Sequence, residues 1–143
     1  MTSIKVMLRL LVTAVAAVVV FGAAQASASS APIVIPYAKT CNELAGHCEG
    51  TANGVSIVMQ VTGFRPTGKA AQLTLTESIT VGDISFTAVM KGDRSPAGFI
   101  VLNGNVTEGS FAGAQVHQRS NYVGGPATAS EWTGELRIVP ASA

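Results

Sequence analysis

From residue 33 onwards, apolar and polar residues alternate in short runs, and Gly, Pro, Asn and Asp stand between the runs. In VSIVMQV (55–61) and ISFTAVM (84–90), an apolar residue occupies every second position. Successive side chains of a strand point to opposite faces, so each run predicts a strand with one core-facing side. Helical periodicity is absent from this part of the chain, except around residues 42–45. We therefore expect an all-β domain of about seven or eight antiparallel strands, forming a small sandwich or a closed barrel.

The final run, WTGELRI (132–138), has the cleanest alternation. Trp132, Leu136 and Ile138 share one parity, and charged or polar residues take the other. Since large aromatic side chains dominate the energetics of small cores, Trp132 is expected to anchor the last strand inside the domain.

The N-terminal segment has the order of a secretory signal. Lys5 and Arg9 precede an uncharged apolar run over residues 10–24, and small residues follow that allow cleavage after Ala26 or Ala28. A helix over this run would rise by about 22 Å, less than the hydrocarbon core of about 30 Å. We expect a cleaved signal helix and no stable membrane anchor after cleavage.

The chain therefore divides into three segments. Residues 1–28 are predicted to be the signal, residues 29–36 a linker or first edge strand, and residues 37–143 a single β domain. The protein is expected to be secreted, to an extracellular or periplasmic location.

Charge argues against nucleic acid as a partner. The nine Lys and Arg residues are nearly balanced by eight Asp and Glu residues, and outside the signal the cations stand singly. Nucleic-acid binding requires clustered positive charge.

Cys41 and Cys48 are separated by six residues in a chain that is expected to leave the reducing cytoplasm. A disulfide is the default prediction for such a pair. The alternative is a metal site that also uses His47, but a zinc site needs four ligands, or three and an open position, and no second cluster follows. We predict no metal and no cofactor.

Short catalytic motifs of the G-x-S-x-G, H-E-x-x-H and G-x-x-x-x-G-K types are absent from the sequence. The tripeptide Lys91-Gly92-Asp93 is typical of a tight turn between two strands. No catalytic residue is predicted from motifs.

Glu77 breaks the apolar pattern of the run AQLTLTESITV (71–81), where it takes a core-facing position. A buried lone carboxylate is costly. The simpler explanation is a bulge at Glu77-Ser78 that turns the side chain outwards. The alternative is a carboxylate that lines a cavity, with Arg119 or His117 as its partner.

The stretch VHQRSNY (116–122) places five polar residues in succession. It is either the solvated end of a strand or the lining of a barrel mouth or cleft, where polar groups and an aromatic ring would bind a ligand. A bulge at Gly113 could set which residues face inwards. The candidate ligand-binding residues are His117, Gln118, Arg119, Tyr122 and Glu77.

The phrase GSFAGA (109–114), followed by a polar strand and a final W-x-G-x-L strand, resembles the closing hairpin of small β-barrels of the dirigent and allene oxide cyclase type. The resemblance covers these few residues and implies a small barrel. It implies no activity, because one fold carries many functions.

The expected function is that of an exported, non-enzymatic β domain that binds a small molecule, a glycan or a surface protein. One alternative is a small secreted enzyme of isomerase or hydrolase type, with Glu77 or His117 as acid or base and Arg119 holding an anionic group. Another is a structural component of an envelope or matrix. The pattern predicts no oligomeric state.

Overall fold

The computed structural model describes residues 31–51 and 54–142; the predicted signal and its cleavage sites lie outside the described residues. Eight strands follow one another: β1 (Ile33–Asn42), β2 (His47–Gly50), β3 (Val55–Thr67), β4 (Ala70–Val81), β5 (Ile84–Arg94), β6 (Phe99–Gly109), β7 (Gln115–Gly124) and β8 (Ser130–Val139).

Each strand pairs antiparallel with the one before it, and β8 pairs with β1 to close a barrel. The closing ladder runs from Ile33 opposite Ile138 to Cys41 opposite Ser130. The prediction of an all-β domain with seven or eight strands is confirmed, and the closed barrel is the correct one of the two alternatives. β1 takes in residues 33–36 together with the start of the predicted β domain.

Alternation along the strands sends one set of side chains into the barrel, where they form a single apolar core. Trp132 is 2% exposed, and Leu136 and Ile138 are fully buried, so the predicted core anchor of β8 is confirmed. The indole of Trp132 donates its N–H to Ser130 Oγ at 2.9 Å, so its polar atom is satisfied inside the barrel.

The predicted bulge at Glu77-Ser78 is wrong. β4 keeps its register through Glu77 on both sides, opposite Met59 of β3 and Ala88 of β5. The irregularities fall instead on β3, β6 and β7, beside Val61, Thr87 and Tyr122. Glu77 faces the interior because two continuous ladders hold its strand, and the interior supplies polar partners for it.

The predicted turn at Lys91-Gly92-Asp93 is also wrong, because these residues lie within β5. Gly92 is needed there for close packing of two strands: a Cβ atom at this position would lie 1.9 Å from the carbonyl oxygen of Val101 on β6. The glycine therefore marks a close approach of the β5 and β6 backbones.

The predicted disulfide joins Cys41 and Cys48, which face each other across β1 and β2, and both residues are buried. Both sulfur atoms are used in this bond, which rules out the metal site that shared them. A disulfide is typical of proteins that fold in an oxidising compartment. No group of three metal-ligating side chains is found among the described residues.

One end of the barrel, here called the upper end, carries the turns after β1, β3, β5 and β7. β1 and β5 lie on opposite sides of the ring, since three strands separate them in either direction. In residues 31–51 and 54–142, no helix is long and apolar enough to cross a membrane.

Candidate functional site

The residues predicted from VHQRSNY do not meet at one site. Because neighbours on a strand face opposite sides, Gln118 points into the barrel while His117 and Arg119 lie on its outer wall. His117 Nδ1 lies 2.6 Å from Asn103 Oδ1 on the adjacent strand. Glu77 is fully buried inside, so the barrel wall separates it from Arg119.

The irregular turn before β7 explains which residues of this strand face the barrel interior. Gly113 lies in the turn between β6 and β7 with a φ of +88°, and Phe111 adopts a φ of +64° in the same turn. Phe111 therefore does not set the parity of the following strand. Val116, fully buried, sets it.

Tyr122 lies at the rim of the upper end and is 45% exposed. Its hydroxyl donates to the carbonyl of Gly125 at 2.5 Å, and its ring packs edge-on against Trp132 with centroids 5.4 Å apart. Tyr122 therefore covers one side of the Trp132 indole.

Glu77 and Gln118 belong to a set of buried polar side chains that we call the inner polar cluster. Its five members lie at inward-facing positions of β1, β4 and β7: Tyr37, Lys39, Glu77, Gln118 and Ser120. Tyr37 and Lys39 were not predicted, although both take the core-facing parity of IVIPYAKTC (33–41).

Hydrogen bonds connect most of the inner polar cluster. The amide of Gln118 donates to Tyr37 Oη at 2.7 Å and to Glu77 Oε1 at 3.2 Å. Tyr37 Oη also lies 2.5 Å from Ser120 Oγ. Glu77 Oε2 and Gln118 Oε1 are buried and have no hydrogen-bond partner.

Burial governs the ionisation of this cluster. It raises the pKa of Glu77, against the opposing effects of the Lys39 charge and the Gln118 hydrogen bond. It lowers the pKa of Lys39, against the effect of Glu77. Burial also raises the pKa of Tyr37. Each group is thus shifted towards its neutral form, which suits a low-dielectric interior.

Gly134 of β8 makes room for this cluster. A Cβ atom at Gly134 would lie 1.9 Å from the carbonyl oxygen of Arg119 and 2.7 Å from Tyr37 Oη. A larger residue would push the two strands apart and displace the tyrosine hydroxyl.

Above the cluster, at the upper end, lies a cavity of about 340 Å³ that we call the mouth cavity. The turn after β1 forms one side of it. Its remaining walls are mostly apolar and come from the disulfide and from four strands, β3, β4, β6 and β8: Cys41, Cys48, Met59, Val61, Phe64, Leu73, Ile100 and Trp132.

Met59 separates the mouth cavity from the inner polar cluster. It lines the cavity, and its sulfur accepts a hydrogen bond from Lys39 Nζ at 3.3 Å. None of the five cluster residues lines the cavity. A molecule in the cavity would therefore contact an apolar floor, with the buried Lys39 side chain behind it.

An ion pair crosses the mouth of the barrel. Arg94, the last residue of β5, donates to Glu43 in the turn after β1, with Nη1 to Oε2 at 2.8 Å and Nη2 to Oε1 at 3.4 Å. The guanidinium carbon of Arg94 also lies 5.2 Å from the centroid of the Trp132 ring. Both charged residues line the mouth cavity.

Burial by itself would raise the pKa of Glu43, but opposing effects, the largest of them the hydrogen bond to Arg94, hold this pKa below its usual range. Glu43 and Arg94 were not predicted as site residues. The incorrect turn at residues 91–93 hid the fact that Arg94 shares the inward parity of Met90 and Ala88 on β5.

His117 and Arg119 do share a hollow of about 380 Å³ on the outer wall, together with Glu135 and Arg137. Apart from the buried Gln118, its walls are mostly charged and polar side chains on the outer face of β6, β7 and β8. Small-molecule sites are typically concave and apolar with few polar groups, and the mouth cavity fits that description better.

No protein-family model, curated protein or solved structure matches this chain.

Proposed function

We propose that this barrel is an exported, non-enzymatic binding protein that holds a small apolar molecule in the mouth cavity. The observation that carries the proposal is the cavity itself, about 340 Å³ in volume, with apolar walls and one ion pair at its rim. Ligand sites commonly have volumes of about 300 to 1,000 Å³, apolar linings and a few polar groups that orient the ligand.

The walls of the cavity are held in place before any ligand arrives. Cys41 and Cys48 are covalently joined, and the turn between them is tied by a hydrogen bond from Glu43 N to the carbonyl of Ala127 at 2.7 Å. The other walls are strands in continuous ladders. A site that is already ordered loses less conformational entropy when the ligand binds.

Within the classes expected for this domain, an apolar small molecule is better supported than a glycan. Sugars bind by stacking on an exposed aromatic face, and Trp132 is 2% exposed, with Tyr122 and Arg94 packed against its ring. The buried indole instead contributes an apolar wall.

An enzyme that combines Glu77 or His117 with Arg119 has less support. Glu77 lies in the sealed interior, whereas both His117 and Arg119 lie on the outer wall. A catalytic base has to come within hydrogen-bond reach of its substrate, and a ligand in the mouth cavity does not contact either carboxylate oxygen of Glu77.

Export is supported by the signal pattern at the N-terminus and by the disulfide. A binding barrel in such a compartment would meet its ligand outside the cytoplasm.

Titration with N-phenyl-1-naphthylamine, an uncharged dye that fluoresces in apolar sites, tests the proposal. We expect saturable enhancement with one dye per chain. The Val61→Phe substitution places extra volume in the cavity and should weaken dye binding about tenfold or more, whereas Val89→Phe on the outer wall should leave it unchanged. Thermal unfolding verifies that both variants fold. Equal dye binding by the two folded variants, or no enhancement with the parent, would contradict the proposal.

A further inference from the structure

The two charges at the mouth differ in how firmly the fold holds them. Arg94 ends a strand that pairs on both sides, opposite Ala71 of β4 and Ile100 of β6, and its guanidinium lies over Trp132. The cation therefore has a fixed place at the edge of the apolar cavity.

Glu43 reaches Arg94 from a four-residue turn on the opposite side of the barrel. The backbone of this turn is fixed by the disulfide at its base and by the bond from Glu43 N to Ala127. The carboxylate of Glu43 is joined to this backbone by rotatable single bonds, so a change of side-chain rotamer can release Arg94 while the turn keeps its place.

Solvent reaches both partners, since the side chain of Arg94 is 34% exposed and that of Glu43 is 23% exposed. An ion pair of this kind contributes little net stability, so its replacement by another ion pair has a small cost. Among the described residues that line the mouth cavity, Arg94 is the only arginine or lysine.

We propose, on the basis of the binding function above, that the ligand is an apolar carboxylic acid whose carboxylate takes the place of Glu43 on Arg94. The apolar body lies in the mouth cavity against Met59, Leu73 and Trp132. Glu43 shows that a carboxylate fits at this position, and the planar guanidinium matches a carboxylate with two parallel hydrogen bonds. Glu43 is thus an internal competitor that occupies the cation while the site is free.

The test compares two probes with the same apolar body, octanoate and 1-octanol, as competitors that displace N-phenyl-1-naphthylamine at neutral pH. Four proteins are compared: the parent, Glu43→Gln, Arg94→Gln and the double variant. The double variant is necessary because Arg94→Gln alone leaves an unpaired Glu43 carboxylate that would repel octanoate.

Glu43→Gln removes the competitor, so octanoate should bind about threefold or more tightly than to the parent, with 1-octanol changed by less than about twofold. Adding Arg94→Gln to this variant should weaken the binding of octanoate about tenfold or more, as expected for the loss of a charged hydrogen-bond pair. The binding of 1-octanol should again change by less than about twofold.

The outcomes separate this inference from the proposed function. If the dye and 1-octanol bind but octanoate responds to the substitutions no more than 1-octanol does, the carboxylate assignment is overturned and the apolar site stands. If Glu43→Gln weakens octanoate, the competitor role of Glu43 is overturned. If neither probe nor dye binds to the folded parent, the binding function itself fails.

Discussion

Glu77 is a carboxylate inside the barrel, although glutamate side chains normally lie at the protein surface. It is fully buried, one of its oxygens has no hydrogen-bond partner, and Lys39 supplies the opposing charge. The alternation along β4 already indicated a core-facing carboxylate. Its partners could not be identified from sequence, because they come from strands 38 and 41 residues away in the chain.

The pH dependence of stability tests this environment. Because the pKa of Glu77 is raised above its ordinary value of 4.5, the folded state holds the proton more firmly than the unfolded chain does. This contribution is complete below the unfolded pKa and is lost as the pH rises through the folded pKa. The free energy of unfolding of the parent, minus that of Glu77→Gln, should therefore fall between pH 4 and pH 8 in denaturant titrations.

Loss of the Glu77 charge also lowers the pKa of Lys39 further. This second effect also makes the unfolding free energy of the parent, minus that of Glu77→Gln, fall as the pH rises. The exposed Glu135 of β8 supplies the matched control, because Glu135→Gln removes a carboxylate that does not face the barrel interior, and the fall with pH should be larger for Glu77→Gln than for Glu135→Gln. A difference for Glu77→Gln that rises with pH would contradict the buried assignment.

Trp132 supplies a second test on a single residue. Trp132→Ala should lower the free energy of unfolding by about 3 to 5 kcal/mol, because it leaves a large cavity in the core. Since this is the only tryptophan in the chain, the emission of the parent reports on it alone and should be that of an indole shielded from water. A loss of less than about 1 kcal/mol, or emission typical of a water-exposed indole, would contradict its place in the core.

At the scale of the strand, the sequence patterns predicted strands correctly where apolar and polar side chains alternate. They failed at Gly92, because glycine is common both in turns and where two strands approach closely. Gly92 and its neighbours were interpreted as a turn, but the glycine allows β5 and β6 to approach each other. Composition alone does not distinguish these two uses, since both need a residue without a side chain. That error also concealed Arg94, the cation at the mouth.

The close approach of β5 and β6 at Gly92 predicts that a side chain at this position destabilises the barrel. Gly92→Ala should destabilise the barrel by about 1 to 3 kcal/mol or more, because the new Cβ meets the backbone of Val101, which cannot move aside as a side chain could. Gly124→Ala on β7 is the matched control, since nothing lies within 4 Å of its added Cβ, and it should change stability by less than about 0.5 kcal/mol. Equal effects of the two substitutions in denaturant titrations would refute the steric explanation.

The disulfide is an element-scale feature that could be predicted from the sequence, because the spacing of the two cysteines and a predicted export signal suffice for it. It closes a short loop, so replacing Cys41 and Cys48 with alanine should cost about 2 to 3 kcal/mol. Intact-mass measurement of the oxidised protein should show two hydrogens fewer than after reduction. Two free thiols in the protein purified without reductant would overturn the assignment.

At the scale of the molecule, closure of the barrel decides where a site can form. A sandwich and a barrel share the same strand patterns, and the difference lies in the ladder that joins β1 to β8 across nearly the whole domain. Closure brings the turn after β1 opposite the end of β5, which creates the Glu43–Arg94 contact across the mouth. Such long-range neighbours leave no periodic signal in the sequence. For this reason the sequence predicted a site in the polar run of β7 and not at the mouth.

Chemical-shift mapping by NMR tests the central claim most directly, because it locates the ligand without presupposing its contacts. Addition of octanoate to the labelled protein should shift the signals of Met59, Val61, Leu73, Ile100 and the Trp132 indole, which line the mouth cavity. The signals of His117, Arg119 and Arg137 on the outer wall should stay in place. Shifts confined to the outer wall, or none at saturating octanoate and dye, would contradict a binding site at the mouth of the barrel.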